Sequence, residues 1–263
     1  MLPNHGGAGV IVLTLAYAYY RNSSMLAEQF RVWSSYPDDL KAQVQVIVID
    51  DGSPEPAIDV PRPAGLPALT IGRLAEVDDP FTPPWRQDAA RNRAADEAAG
   101  EWLFLSDMDH VLPTDSLRAL LDLCANGPDV VYSSFLRLDA PNLTPKIKNG
   151  ARHPHPNTYA MSKAQYWHLG GYDERLCGIY GTDGPFRRKV VDQSTIVDLD
   201  DVSIVRYSRD VIPDASTRID RDAFRDSTVA QRRLSESRAR GVGPTVLSIP
   251  WQRQLRTFAL EAA

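Results

Sequence analysis

Short apolar runs alternate with helical patterns along the first half of the chain. GVIVLTLA (9–16), VQVIVID (44–50) and LPALTIG (66–72) are nearly unbroken stretches of aliphatic and β-branched residues. Such runs fit strands covered on both faces of a parallel sheet. Between the first two, Leu26, Phe30 and Trp33 recur at helical spacing behind the cap candidates Ser23 and Ser24, which predicts a helix to about Trp33. VDDPFTPPW (77–85) is too proline-rich for regular structure. After it, RQDAARNRAADEAAG reads as a helix whose alanines permit close approach to a sheet, with Gly100 closing it. A strand at 101–106, a helix at 114–126 capped by Thr114 or Asp115, and a strand in DVVYSSFLRL (129–138) complete the alternation. The pattern predicts an α/β fold with right-handed crossovers and a mainly parallel sheet flanked by helices.

The second half has a weaker rhythm. Residues 139–156 dissolve into Pro, Asn, Lys and His and predict a hairpin or loops on a functional rim. SKAQYWHLGGYDE predicts a short helix with a glycine stop, PFRRKVVD (185–192) another helix, and STIVDLDDVSIVRYS (194–208) two short strands. The division expected is a main domain at 1–208, with halves of about 1–113 and 114–208, followed by an arginine-rich, helical extension at 209–263.

Composition narrows the function classes. A chain of 263 residues with 43% hydrophobic content can bury a core, and a net charge of -5 argues against a surface that is everywhere attractive to nucleic acid or anionic lipid. The longest apolar run, Val10 to Tyr20, is too short to cross a bilayer. Two scattered cysteines, Cys124 and Cys177, fit a reducing, cytoplasmic location.

In open α/β sheets, ligands bind beyond the carboxyl ends of the strands. That rule gathers Ala16-Tyr17, Asp50-Asp51-Gly52-Ser53 and Asp107-Met108-Asp109 at one edge. Two carboxylates at i and i+2 can converge on a divalent cation, and oxygen ligands suit Mn²⁺ or Mg²⁺. The acid-x-acid pattern alone has little specificity, because such triplets are common in surface loops. His110 follows the triplet as a weak further ligand, and HPHP (153–156) places His155 where it could bind metal or an acceptor.

Four ordered segments add the missing context. They are a first strand followed by an aromatic residue, VIVIDDGS, ARNRAADEAAGEWLFLSDMDHVLP, and LGGYDERLCGIYGTDGPFRRKV. Over Val10 to about Val190 the chain resembles the GT-A fold glycosyltransferases, and within them the inverting family 2 group. The resemblance implies a GT-A (Rossmann-like, nucleotide-diphospho-sugar transferase) fold and transfer of a sugar, with a UDP-sugar as the expected donor, to an acceptor hydroxyl with inversion.

Carried over by position, Ala16, Tyr17, Asp50, Asp51, Arg86, Arg91 and Asp107 would bind the donor. Asp107 and Asp109 would hold Mn²⁺ or Mg²⁺, with Asp109 as principal ligand, and Asp183 would be the catalytic base. Thr182 stands where the family commonly has a first acid before that base. Asp173, Glu174, His155 and Trp167 would lie on the acceptor side.

Other readings remain open at this level. A nucleotidyltransferase would normally carry a glycine-rich phosphate loop after the first strand, whereas GGAG precedes it here. A non-catalytic sugar-nucleotide or glycan-binding module is a second alternative. The arginines between Arg206 and Arg240 admit a third, a glycosyltransferase acting on hydroxymethylated bases in phage DNA. The acceptor class stays open among a glycan, a small molecule and modified DNA.

Overall fold

The structure is a computed structural model and describes residues 10–75, 86–178, 183–216, 232, 235 and 245–257. The elements run β1 (Leu13–Tyr19), α1 (Ser23–Ser34), α2 (Asp38–Lys41), β2 (Val44–Asp50), β3 (Ala68–Leu74), α3 (Gln87–Glu97) and β4 (Trp102–Leu105). They continue with β5 (His110–Val111), α4 (Thr114–Asn126), β6 (Val131–Ser133), β7 (Leu136–Asp139), β8 (Thr144–Pro145), β9 (Ile147–Lys148), β10 (Ala151–Arg152) and β11 (Tyr159–Ser162). The last are α5 (Lys163–His168), α6 (Asp183–Gln193), β12 (Ile196–Asp198), β13 (Ser203–Arg206) and β14 (Trp251–Arg256).

An eight-stranded sheet in the order β12-β6-β11-β4-β1-β2-β3-β14 forms the centre. Its heart, β4-β1-β2-β3, is parallel, as the apolar runs predict. All seven residues of β2 are buried, and helices cover both faces of the sheet. On one face lie Met25, Leu26, Phe30 and Trp33 of α1 with Leu117 and Leu120 of α4. On the other, Ala89, Ala90, Ala94 and Ala95 let α3 approach closely. β11 joins antiparallel to β4, and beside the main sheet a second sheet runs β5-β13-β7-β8.

Three expectations change. The first strand extends to Tyr19 rather than Ala16, because Tyr17 and Tyr19 are buried and every residue from Leu13 to Tyr19 pairs with β2. The strand expected at 129–138 breaks into β6 and β7 around Ser134, whose positive φ of 56° redirects the chain from one sheet to the other. The predicted helical extension gives way at its end to β14, which caps the main sheet against β3. Trp251 of β14 occupies the space above Gly72, where any side chain on residue 72 would collide with its ring. Most of the remaining extension, the 77–85 stretch and Thr182 lie outside the described residues.

Candidate active site

The carboxyl ends of β1, β2 and β4 open onto a cavity of about 420 Å³. Ala18, Tyr19, Tyr20 and Asn22 enter from β1, Asp51 from β2, and Ser106 to His110 from β4. The far wall comes from His155, Pro156, Asn157 and Asp183, with Arg137 and Arg206 reaching in from the second sheet.

The two aspartates after β2 part company. Asp50 is fully buried and accepts hydrogen bonds from the Ser53 and Ala57 amides, at 2.7 and 2.9 Å, and from the Arg73 guanidinium at 2.9 Å. It shapes the loop rather than lining the cavity. Asp51 does line the cavity, and the Arg86 side chain donates to it at 2.7 Å while the Arg86 amide donates to its other oxygen. Gly52 (φ 74°) makes the turn directly after Asp51, and a Cβ there would press on Arg86 at 2.9 Å. Burial, only partly offset by Arg86, pushes the Asp51 carboxyl up to about 6.

The loop after β4 is held from beneath by Gln29 of α1, whose amide donates to the carbonyls of Met108 (2.9 Å) and His110 (2.8 Å). Asp107 faces the cavity and receives Arg91 at 2.5 Å, Gln87 at 3.1 Å and the His155 ring at 3.2 Å. Burial raises the cost of ionising it, but His155, Arg91 and His110 outweigh that cost and hold its carboxyl well below the usual range. Asp109 turns instead to His110 Nδ1 (2.8 Å) and Arg206 (3.4 Å).

Asp107, His110 and His155 are brought together so that one ligand atom from each lies within 4.8 Å of the others. The His110 and His155 rings sit 4.0 Å apart. Because a carboxylate can only accept, Asp109 fixes the proton of His110 on Nδ1 and leaves Nε2 with its lone pair. That Nε2 is buried and has no hydrogen-bond partner among the described residues. Burial, the largest influence, also keeps the His110 pKa below its ordinary value, so the ring is neutral near pH 7. Thr158 Oγ1 lies 3.1 Å from His155 Nδ1 and can accept a hydrogen bond from Nδ1–H, in the tautomer that leaves the Nε2 lone pair for a cation. An orphaned imidazole nitrogen beside a second imidazole and an ionised carboxylate fits a divalent metal.

The other expected site residues are distributed as follows. Asp183 lines the cavity at the first turn of α6 and accepts from Arg91 at 2.5 Å. Arg91 is buried and bound to two carboxylates rather than open to a donor, and Arg86 is committed to Asp51 and the Ala75 carbonyl. Ala16 and Tyr17 sit inside β1; the Tyr17 ring packs on Trp33 at 5.4 Å, and Tyr19 and Tyr20 take the place at the cavity. Asp173, Glu174 and Trp167 do not line the cavity. Glu174 accepts from the amides of Leu247 (2.6 Å) and Ser248 (2.8 Å) and from Asn92, tying the C-terminal segment to α3. Asp173 pairs with Arg175 at 2.5 Å, and Trp167 packs on Tyr166. Gln87, Arg137 and Arg206, which line the cavity, and Gln29, which supports its floor, are residues that the sequence reading missed. Gln29 left one trace, an uncharged polar residue on the apolar face of α1.

Comparison with known proteins agrees with this geometry. Residues 81–180 match the family described as glycosyl transferase family 2. Among solved structures, TarS 1-349 of S. aureus superposes with a TM-score of 0.54 at 16% identity, over 88% of this chain and 74% of that one. The mannosyltransferase PcManGT of Pyrobaculum calidifontis, in complex with GDP-Man and Mn²⁺, gives 0.52 at 18% identity, over 89% and 65%. GalNAc-T7 with UDP, GalNAc and Mn²⁺ gives 0.54 at 13% identity, over 76% and 43%. None of the curated protein sequences matches the chain. The fold is that of the GT-A glycosyltransferases. In its fold, and over residues 81–180 in its sequence, the chain is similar to the glycosyltransferases.

Proposed function

We propose that the protein is a metal-dependent glycosyltransferase that moves a sugar from a UDP-sugar to an acceptor hydroxyl with inversion. The observation that carries the reading is the metal-competent group Asp107, His110 and His155 facing the same cavity as Asp183. Two imidazoles and one carboxylate favour Mn²⁺ over Mg²⁺, which prefers an all-oxygen shell. Asp109 acts behind His110 in this reading, rather than as the principal ligand. When bound, the cation neutralises charge on the leaving diphosphate.

The chain's own residues supply the rest. Asp51, backed by Arg86, presents carboxylate lone pairs to the donor's base or ribose, beside Tyr20 and Asn22. Asp183 takes the proton of the acceptor hydroxyl as that oxygen bonds to the anomeric carbon. The bond from the anomeric carbon to the diphosphate breaks, and its electron pair leaves with the diphosphate. Attack from the face opposite the leaving group inverts the anomeric centre. The relatives' ligands support the donor class: TarS is described with UDP-GlcNAc and PcManGT with GDP-Man.

Among the described residues no helix is long and apolar enough to cross a membrane. Cys124 and Cys177 are buried thiols that form no disulfide, consistent with a reducing, cytoplasmic setting.

The test is a hydrolysis and thermal-shift screen of UDP-, GDP-, CDP- and dTDP-sugars with Mn²⁺, repeated with Asp183→Asn. We expect one UDP-sugar to stabilise the protein and to turn over, and the variant to keep binding while losing about 10³-fold in rate. Turnover unaffected by chelator or by the substitution would overturn the reading.

A further inference from the structure

Arg91 is the second-largest fully buried side chain among the described residues, yet it comes from α3, the alanine-rich helix behind the sheet. A guanidinium removed from water costs several kcal/mol unless its hydrogen bonds are met, and a bidentate fork onto one carboxylate is the usual solution. Arg91 does something else. Nη2 donates to Asp107 at 2.5 Å and Nη1 donates to Asp183 at 2.5 Å, so one planar group joins two carboxylates from distant parts of the chain. Nη1 also reaches the Tyr172 hydroxyl at 3.0 Å, and Cζ lies 5.0 Å from the centre of the Tyr172 ring. That ring is stacked on Phe186 of α6 at 4.0 Å. Helix α6, which carries Asp183, is therefore braced against the same guanidinium that its own carboxylate binds.

We propose that Arg91 is a positioning residue that fixes the base Asp183 relative to the metal-side carboxylate Asp107. This assignment rests on the roles given to those two residues above. The planar fork converts two separately placed acids into one rigid unit. Because each carboxylate uses Oδ1 for Arg91, Asp183 keeps Oδ2 for an acceptor hydroxyl, and Asp107 keeps Oδ2, already turned toward His155, for the metal. Lysine cannot substitute, since a single ammonium has no fixed fork with which to span both acids. Residue 91 should therefore govern turnover more than binding.

The experiment compares wild type, Arg91→Lys, Arg91→Gln and Asp183→Asn by UDP–Mn²⁺ binding, by kcat and KM for the UDP-sugar that the wild type hydrolyses, and by melting temperature. Both Arg91 variants are expected to lose roughly 10²-fold in kcat, the usual cost of misplacing a reacting group by about 1 Å. Their affinity for UDP–Mn²⁺ should stay within about threefold or tighten, because Asp107 loses a competing cation. A folded Arg91→Lys with wild-type kcat overturns the proposal, as does a fall in kcat matched by an equal fall in UDP–Mn²⁺ affinity.

Should the variants fail to fold, ¹⁵N spectra of the arginine side chains answer with wild type and Asp183→Asn alone. Separate, slowly exchanging Nη1 and Nη2 signals for Arg91 that merge in Asp183→Asn support the clamp. A single averaged signal in wild type overturns it. If Asp183→Asn is inactive while Arg91→Lys is not, the clamp alone fails. If wild type turns over no nucleotide sugar, the clamp falls together with the catalytic roles it depends on.

Discussion

Two loops of the same sheet edge each present a pair of aspartates, and in both loops the pair divides its labour. After β2, Asp50 stays inside, saturated by the amides of Ser53 and Ala57 and by Arg73, while Asp51 faces the cavity. After β4, Asp107 meets the cavity's cations, while Asp109 orients His110. In each loop the acid with the more direct claim on a ligand is held by an arginine from the start of α3 or just before it: Arg86 for Asp51 and Arg91 for Asp107. The difference lies in the neighbouring groups. Burial pushes up both carboxyls, but at Asp51 it is offset only in part by Arg86, whereas His155, Arg91 and His110 together pull the Asp107 carboxyl down. A low-lying carboxylate suits a cation, and a raised one suits hydrogen bonds to a neutral base or ribose.

Substitutions can break this comparison. Asp107→Asn should have the largest effect, abolishing detectable Mn²⁺ binding and lowering turnover by about 10³-fold or more, measured by calorimetry and donor hydrolysis. Asp109→Asn should be milder, about 10- to 100-fold in metal affinity, because it disturbs the orientation of a ligand rather than removing one. An Asp109 variant as damaged as the Asp107 variant would make Asp109 a ligand and erase the asymmetry. Asp50→Ala should destabilise the fold by about 3 kcal/mol in urea titration and lower turnover per folded molecule far less than Asp107→Asn does, since it strands buried amide donors that do not line the cavity.

The smallest effect is in pH dependence. The Asp51 carboxyl holds its proton more tightly folded than unfolded, so its contribution to stability falls as pH rises from about 4 to about 6 and is flat above that window. The stability difference between wild type and Asp51→Asn should shift in favour of Asn across that window. A difference independent of pH would show that Asp51 is ionised throughout.

Much of the fold was legible because burial on both faces writes itself into strands: β2 matched its predicted span of 44–50, and the 114–126 helix its own. The site was less so. Asp107 could be named from its place after a predicted strand, and Asp183 only through the resemblance of its segment to the family pattern. The partnership of His110 with His155 could not, since 44 intervening residues, running through α4 and β6 to β10, separate the two rings that meet at 4.0 Å. Arg91 was legible as a site residue but not in its role. The sequence reading gave it to the donor, and only the fold shows that its face of α3, with Asp88 and Asn92, turns inward and joins it to Asp107 and Asp183. Glu174 misled in the opposite sense, an acid in a motif-like segment that secures backbone amides of the C-terminal segment.

The central claim is that two imidazoles and Asp107, rather than the Asp-x-Asp pair, seat the cation. Pulsed electron paramagnetic resonance of Mn²⁺ bound with UDP reads this directly through ¹⁴N couplings. The account predicts two histidine nitrogens coupled to the metal in wild type, and one in each of His110→Ala and His155→Ala. A Mn²⁺–UDP complex with no histidine nitrogen coupling in the wild type would contradict it.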